Sequence, residues 1–340
     1  MLSEENIEKC TAGRKNQERS IHLFPLIVLA AMLIPMASTA ELTIDALLAG
    51  IAGYESSIQD FVVLYSYVRP SVAGRCEWKP YTMLALYARR GDLRLCERFD
   101  FRTDWDRMRH GIAVFDGQYS RTWLNNNTGK ILPRMHSDFY WNGSIEHYCC
   151  STWAGMPISA FVKEAAEAEL EGVQLVDGHE CGVIAVGGHP TMPRAGARFY
   201  FDVARGFVPL KVQRLMNGQI VAESLAAEVR KVDSTGVWFP TKVTITTAGV
   251  VEGPGGAPTT TIMVRRLKVN AGFGQDLFSF EYPEGVIIQD EVVDSTYRIP
   301  RSEDDSLRTT PADSVPTFFG KALDLSFDEA VEMFTNLACE

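Results

Sequence analysis

Residues 198–247 constrain this chain more than any other stretch, because they alternate. Arg198, Tyr200 and Asp202 interleave with Phe199, Phe201 and Val203; Leu225, Ala227 and Val229 with Glu228 and Arg230; Val243 and Ile245 with Lys242, Thr244 and Thr246. A period of two belongs to a strand with one dry face and one wet face. Asn217-Gly218 marks a two-residue hairpin, since both residues tolerate the positive φ that a primed turn demands. Asp233, Ser234, Thr235 and Gly236 turn the chain again. The stretch therefore predicts an antiparallel meander. Phe199, Phe201, Leu210, Val212, Leu225, Val229, Val243 and Ile245 are expected on its dry face, joined by Phe278 and Phe280 from a later strand.

The flanking sequence extends this pattern. Residues 42–60 carry Leu47, Leu48, Ile51, Tyr54 and Ile58 at helical spacing, with Thr43 placed to cap the start. A strand rich in β-branched and aromatic residues follows at 61–68. Hairpins are expected at 81–90 with 93–100, about Gly91-Asp92, and at 112–115 with 119–124, about Asp116-Gly117; a further turn leads into 130–132. Residues 157–170 read as a second helix, with Ile158, Phe161, Val162 and Ala165 as its apolar stripe and Gly172 as its stop. Strands are expected at 173–176, 181–186, 259–269 and 278–282, and an extended piece at 286–299. Residues 300–316 form a polar linker. In the tail, 317–340, Ser326 and Glu329 make a capping box that opens an amphipathic helix. Many short strands with few helices predict a mainly β (α+β) chain built on a large antiparallel sheet.

Residues 1–40 look like an export segment. Arg14, Lys15 and Arg19 precede an apolar run at 23–36, and Ser38, Thr39 and Ala40 supply small residues for cleavage. An uncleaved anchor is the rival reading, although the run is short of the roughly 20 residues a spanning helix needs. The segment holds as many acids as bases, so the net charge of −10 resides in the remainder. An acidic protein without a basic footprint is a poor nucleic-acid binder. Six cysteines follow the segment: Cys76, Cys96, Cys149, Cys150, Cys181 and Cys339. In an oxidising compartment disulfides are the default, with Cys76–Cys96 and Cys149 or Cys150 with Cys181 as the expected pairs.

Several phrases then point to a family. These are Phe115-Asp116-Gly117 with residues 119–123, Val176-Asp177-Gly178 before a strand, and Tyr200-Phe201-Asp202 ahead of residues 206–211. Gly236-Val237-Trp238-Phe239-Pro240 and residues 280–285 complete the set. In this order they resemble the LolA-like family of exported bacterial proteins, which includes outer-membrane lipoprotein carriers. The resemblance covers residues 42–299. It implies an incomplete antiparallel barrel, a half-barrel domain at 41–299, whose open side is covered by helices and whose cavity takes up acyl chains. Leu47, Ile51, Tyr54 and Ile58 of the first helix and Ile158, Phe161 and Val162 of the second would then be the lid. Loops 133–157 and 187–196 are larger than in a simple carrier, and the tail 301–340 has no counterpart.

Catalytic chemistry finds little support. No GxSxG elbow, HExxH, phosphate-binding loop or GxGxxG is present. His110, His136, His179 and His189 lie in or near turns, as do Glu97, Asp104, Asp106 and Asp116, where polar residues are ordinarily solvated. His147 with Cys149 and Cys150, and His179 with Glu180 and Cys181, are the one set of soft ligands a metal could use. The sequence thus predicts a non-enzymatic protein with no cofactor, exported to the periplasm, binding lipid or lipoprotein acyl chains. An envelope-stress sensor or interaction module that meets an envelope protein through its tail is the alternative, and a metal-dependent or other hydrolase the second.

Overall fold

The computed structural model describes residues 42–70, 80–102, 109–133, 152–153, 156–187, 195–247, 259–301 and 318–339. Helix α1 (Ile44–Ser57) begins where Thr43 Oγ1 accepts the Ala46 N–H at 3.2 Å, as the capping reading requires. Then come β1 (Asp60–Arg69), β2 (Tyr81–Arg90), β3 (Leu93–Arg102), β4 (Arg109–Phe115), β5 (Ser120–Leu124) and β6 (Thr128–Leu132). Two short strands, β7 (Thr152–Trp153) and β8 (Met156–Pro157), lead into α2 (Ile158–Glu164). The meander follows as β9 (Glu167–Val176), β10 (His179–Gly187), β11 (Ala195–Asp202), β12 (Val208–Met216), β13 (Gln219–Lys231), β14 (Trp238–Thr247) and β15 (Thr259–Val269). A 3-10 turn (Gln275–Phe278), β16 (Ile287–Asp290), β17 (Ser295–Arg298), α3 (Phe319–Leu323) and α4 (Phe327–Cys339) complete the chain.

Fifteen strands form one open sheet, in the order β17-β16-β6-β5-β4-β3-β2-β1-β15-β14-β13-β12-β11-β10-β9. The fold is mainly β, on an unclosed sheet with few helices. All neighbours are antiparallel except β16, which joins β6 in parallel. Asn217 and Gly218 take φ of 52° and 77°, the primed turn expected of them.

Directly opposed residues on paired strands point to the same side, so the register identifies each face. One row runs Ile184, Phe199, Val212, Ser224, Ile245, Thr260 across β10 to β15. Ile262, two residues on from Thr260, continues the same side through Tyr67, Met83 and Asp100. Arg98, Gly111, Leu124, Thr128 and Ile287 carry it to the far edge. This is the helix face, because α1 and α2 stand on it at the β10–β12 end.

The opposite face is divided. Over β1–β5 it presents Val62, Leu64, Leu84, Leu86, Leu95, Phe99, Ile112, Val114 and Trp123, all buried in one cluster with Phe319, Ala322, Phe334 and Leu337 of the tail. The tail helices therefore dock on their own sheet, each large side chain contributing about 1.5–3 kcal/mol of burial. Lys268 Nζ donates to the Ala322 carbonyl at 3.1 Å, a cation at the end of α3. Over β11–β13 the same face is wet: Gln213 accepts from Arg198 and Tyr200, each at 3.1 Å, and donates to Glu223 at 2.8 Å.

Four expectations are corrected. The second helix stops at Glu164, because Ala165 turns extended and residues 167–171 alternate acids with Ala168 and Leu170, a strand period that pairs with β10. Gly172, expected as a helix stop, instead takes φ 90° at the register shift in β9. The strand expected at 278–282 is a 3-10 turn and irregular chain, since Phe278 and Phe280 are anchored in the tail-side core rather than paired. Cys181 is a free, buried thiol, so its pairing with Cys149 or Cys150 is not formed. Cys76, Cys149, Cys150 and residues 1–40, expected as an export segment, lie outside the described residues. So do most of the linker and His136, His147, His189, Asp104 and Asp106.

Candidate functional site

The two ends of the helix face differ. At the β10–β12 end, Leu47 and Ile51 of α1 and Ile158, Phe161 and Val162 of α2 pack with Ile184, Val186, Phe199, Phe201 and Val212. The Phe161 ring meets Phe199 edge-on at 6.2 Å, and Phe199 stacks with Phe201 at 6.3 Å. Close approach of α1 requires Gly182, where an added Cβ would lie within 3.0 Å of Leu47. The two helices are tied by Glu55, whose carboxylate accepts the Ser159 N–H at 3.1 Å and the Ser159 hydroxyl. Burial raises the Glu55 carboxyl above its ordinary range, and outweighs those hydrogen bonds.

At the other end the face is open. A groove of about 540 Å³ crosses β3–β6, β16 and β17, within the size range of small-molecule sites. Two cross-strand rows form its floor. One is Cys96, Ala113, Thr122, Lys130, Gln289, Thr296; the other is Arg98, Gly111, Leu124, Thr128, Ile287. Leu124 and Ile287 are 41% and 40% exposed, unusual for large apolar side chains that face a common space. Arg98 is held by Asp100 at 3.1 Å, and Asp100 also accepts from Tyr81 at 2.8 Å.

The residues expected on one dry face are thus distributed. Phe199, Phe201 and Val212 sit together under α1 and α2. Val243 and Leu210 are buried in a second cluster with Tyr54 and Ile58 of α1, and Ile245, Leu225 and Val229 pack against it. Ile245 shares the helix-face row, whereas Leu225 opposes Lys211 and Thr244 and so points to the other side; the register shifts in β12 and β13 break a single alternation through the meander. Phe278 and Phe280 belong to the tail-side core.

The groove was not legible in the sequence. It depends on β16 joining β6 in parallel across a long sequence separation, which leaves no local signal. Glu97 and His110 were also misread as solvated. Glu97 is fully buried, bonded to His110 Nε2 at 2.9 Å and to the Phe318 N–H at 2.6 Å, which fixes the start of the tail. His110 stacks on Phe99 at 4.7 Å. His179 faces Asp202 at 3.4 Å, and Cys181 lies beside them. Burial, with Asp202 second, pushes the Cys181 thiol up to about 11, away from thiolate reactivity. Among the described residues no three His, Cys, Asp or Glu converge as a metal site, and no helix is long and apolar enough to cross a membrane.

No family model matches the chain, and no curated protein matches its sequence. Among solved structures it is similar to a DUF1329 family protein from Desulfovibrio piger, at 12% identity and TM-score 0.45, over 69% of this chain and 96% of that one. It is also similar to a domain from Vibrio parahaemolyticus described as an outer membrane lipoprotein-sorting protein, at 11% identity and TM-score 0.45, over 68% and 95%. The lipoprotein LppX of Mycobacterium tuberculosis aligns over 69% of this chain and all of its own length, at 11% identity and TM-score 0.27.

Proposed function

We propose that this is an exported, non-enzymatic carrier that binds the acyl chain of a lipid or lipoprotein on its helix face. The observation that carries the reading is the open groove, where apolar side chains on a sheet face stand with no covering element among the described residues. Burying an acyl chain there gains about 0.8 kcal/mol per methylene and needs no exacting polar chemistry. The chain seats first against Ala113, Leu124 and Ile287. Parting of α1 and α2, which cover Phe199, Phe201 and Val212, would bare a second apolar surface on the same face, so that those helices act as the lid and the seat of regulated release.

A fluorescent fatty-acyl probe tests this. Wild-type protein should take it up with saturation, and Ala113→Trp, which fills the groove floor, should weaken uptake at least tenfold while leaving the melting transition in place. Equal uptake by both proteins contradicts the groove as the seat, and no saturable uptake by the wild type contradicts the carrier reading itself.

A further inference from the structure

The charge of the groove points beyond an unspecified acyl chain. The chain as a whole carries 43 acidic against 33 basic residues, yet none of the described residues lining the groove is acidic. Two are cationic, Arg98 and Lys130. They are not equivalent. Arg98 is neutralised by Asp100 at 3.1 Å. Lys130 is exposed and forms no ion pair among the described residues. Across the strands its neighbours are Thr122 on one side and Gln289 then Thr296 on the other. Lys130 thus stands in a row of hydrogen-bond donors with no carboxylate to compete for it. The row beside it holds the apolar Leu124 and Ile287.

A strip of apolar side chains along a strip of uncompensated donors is complementary to an amphiphile with a negative head. We infer that the groove selects a single-chain anionic amphiphile, with its chain against Ala113, Leu124 and Ile287 and its head at Lys130 beside Gln289. This inference rests on the reading that the helix face binds an acyl chain, and adds the charge of the head. An exposed cation and a carboxylate attract modestly and are screened by salt, so Lys130 acts in selection and the apolar strip supplies most of the affinity.

Calorimetric titration with dodecanoate and dodecanol, which share a chain and differ in the head, separates the two layers. The wild type should bind dodecanoate roughly two- to fivefold more tightly, the scale of one exposed charge pair, and the preference should shrink as salt is raised. Lys130→Arg should keep the preference and Lys130→Glu should reverse it, with melting transitions unchanged because the side chain is exposed. Equal binding of both ligands by the wild type, or a preference that survives Lys130→Glu, overturns the head-group inference while the acyl reading stands. Binding of neither ligand overturns both.

Discussion

At the β10–β12 end of the helix face, Phe199, Phe201 and Val212 are each no more than 3% exposed beneath α1 and α2, whereas at the β5–β16 end Leu124 and Ile287 are about 40% exposed. Both ends use the same alternation of side chains along strands. What differs is the element that follows. At the first end Gly182 lets α1 approach the sheet, and Glu55 ties α1 to α2. At the second, the β16–β17 hairpin widens the sheet instead of covering it. Whether a dry strand face becomes core or binding surface is therefore decided by its covering element, and not by the strand's own sequence.

The sharpest way to break this comparison is to truncate one residue at each end. Phe199→Ala should lower unfolding stability by about 3–5 kcal/mol, because it leaves a cavity in a sealed cluster. Leu124→Ala should change it by no more than about 0.5 kcal/mol. Denaturant titration reads both, and comparable losses would show that the groove end is core. The face that carries the tail provides a second sealed reference. Glu97→Ala removes the carboxylate that His110 Nε2 and the buried Phe318 N–H share, a change of about 1–3 kcal/mol. It should also loosen the tail, seen as faster amide exchange over residues 318–339. Unchanged exchange there would mean that the apolar contacts alone hold the tail.

A smaller effect is expected at the start of α4. Ser326 and Glu329 exchange reciprocal hydrogen bonds of 2.8–3.2 Å, and Ser326→Ala should cost about 1 kcal/mol of tail stability. The smallest effect is on the contact between α1 and α2. The folded Glu55 carboxyl titrates above its ordinary value of 4.5 because burial outweighs the Ser159 hydrogen bonds, so protonation favours the folded, buried state. That contribution is complete below about 4.5 and is lost as pH rises through the folded value. Exchange of α2 amides, corrected for intrinsic rate, should therefore speed up between pH 4.5 and neutrality, and Glu55→Gln should flatten the dependence. A wild-type profile already flat would remove Glu55 from the control of the α1–α2 contact.

Much of this fold was legible in local sequence. Thr43, Asn217-Gly218 and the Ser326–Glu329 box mark their elements because capping and turn chemistry act within a few residues. The elements misread were those decided at long range. Residues 167–171 take a strand because β10 offers partners, against the helical spacing of the preceding stretch. Phe278 and Phe280 look like a strand but serve as anchors for the tail-side core. Glu97 and His110 look like surface polar residues until the tail brings Phe318 onto them. The apolar residues of α1 and α2 could be listed from helical spacing, but the groove required the parallel junction of β6 and β16, which leaves no local trace.

Amide exchange with and without a saturating long-chain acyl ligand tests the central claim most directly, because it reports where on the helix face the ligand sits. Protection should rise first over residues 111–130 and 287–290, with a lesser change over α1 and α2. Protection confined to residues 158–164 and 197–201, with the groove strands unaffected, would contradict the groove as the seat of binding.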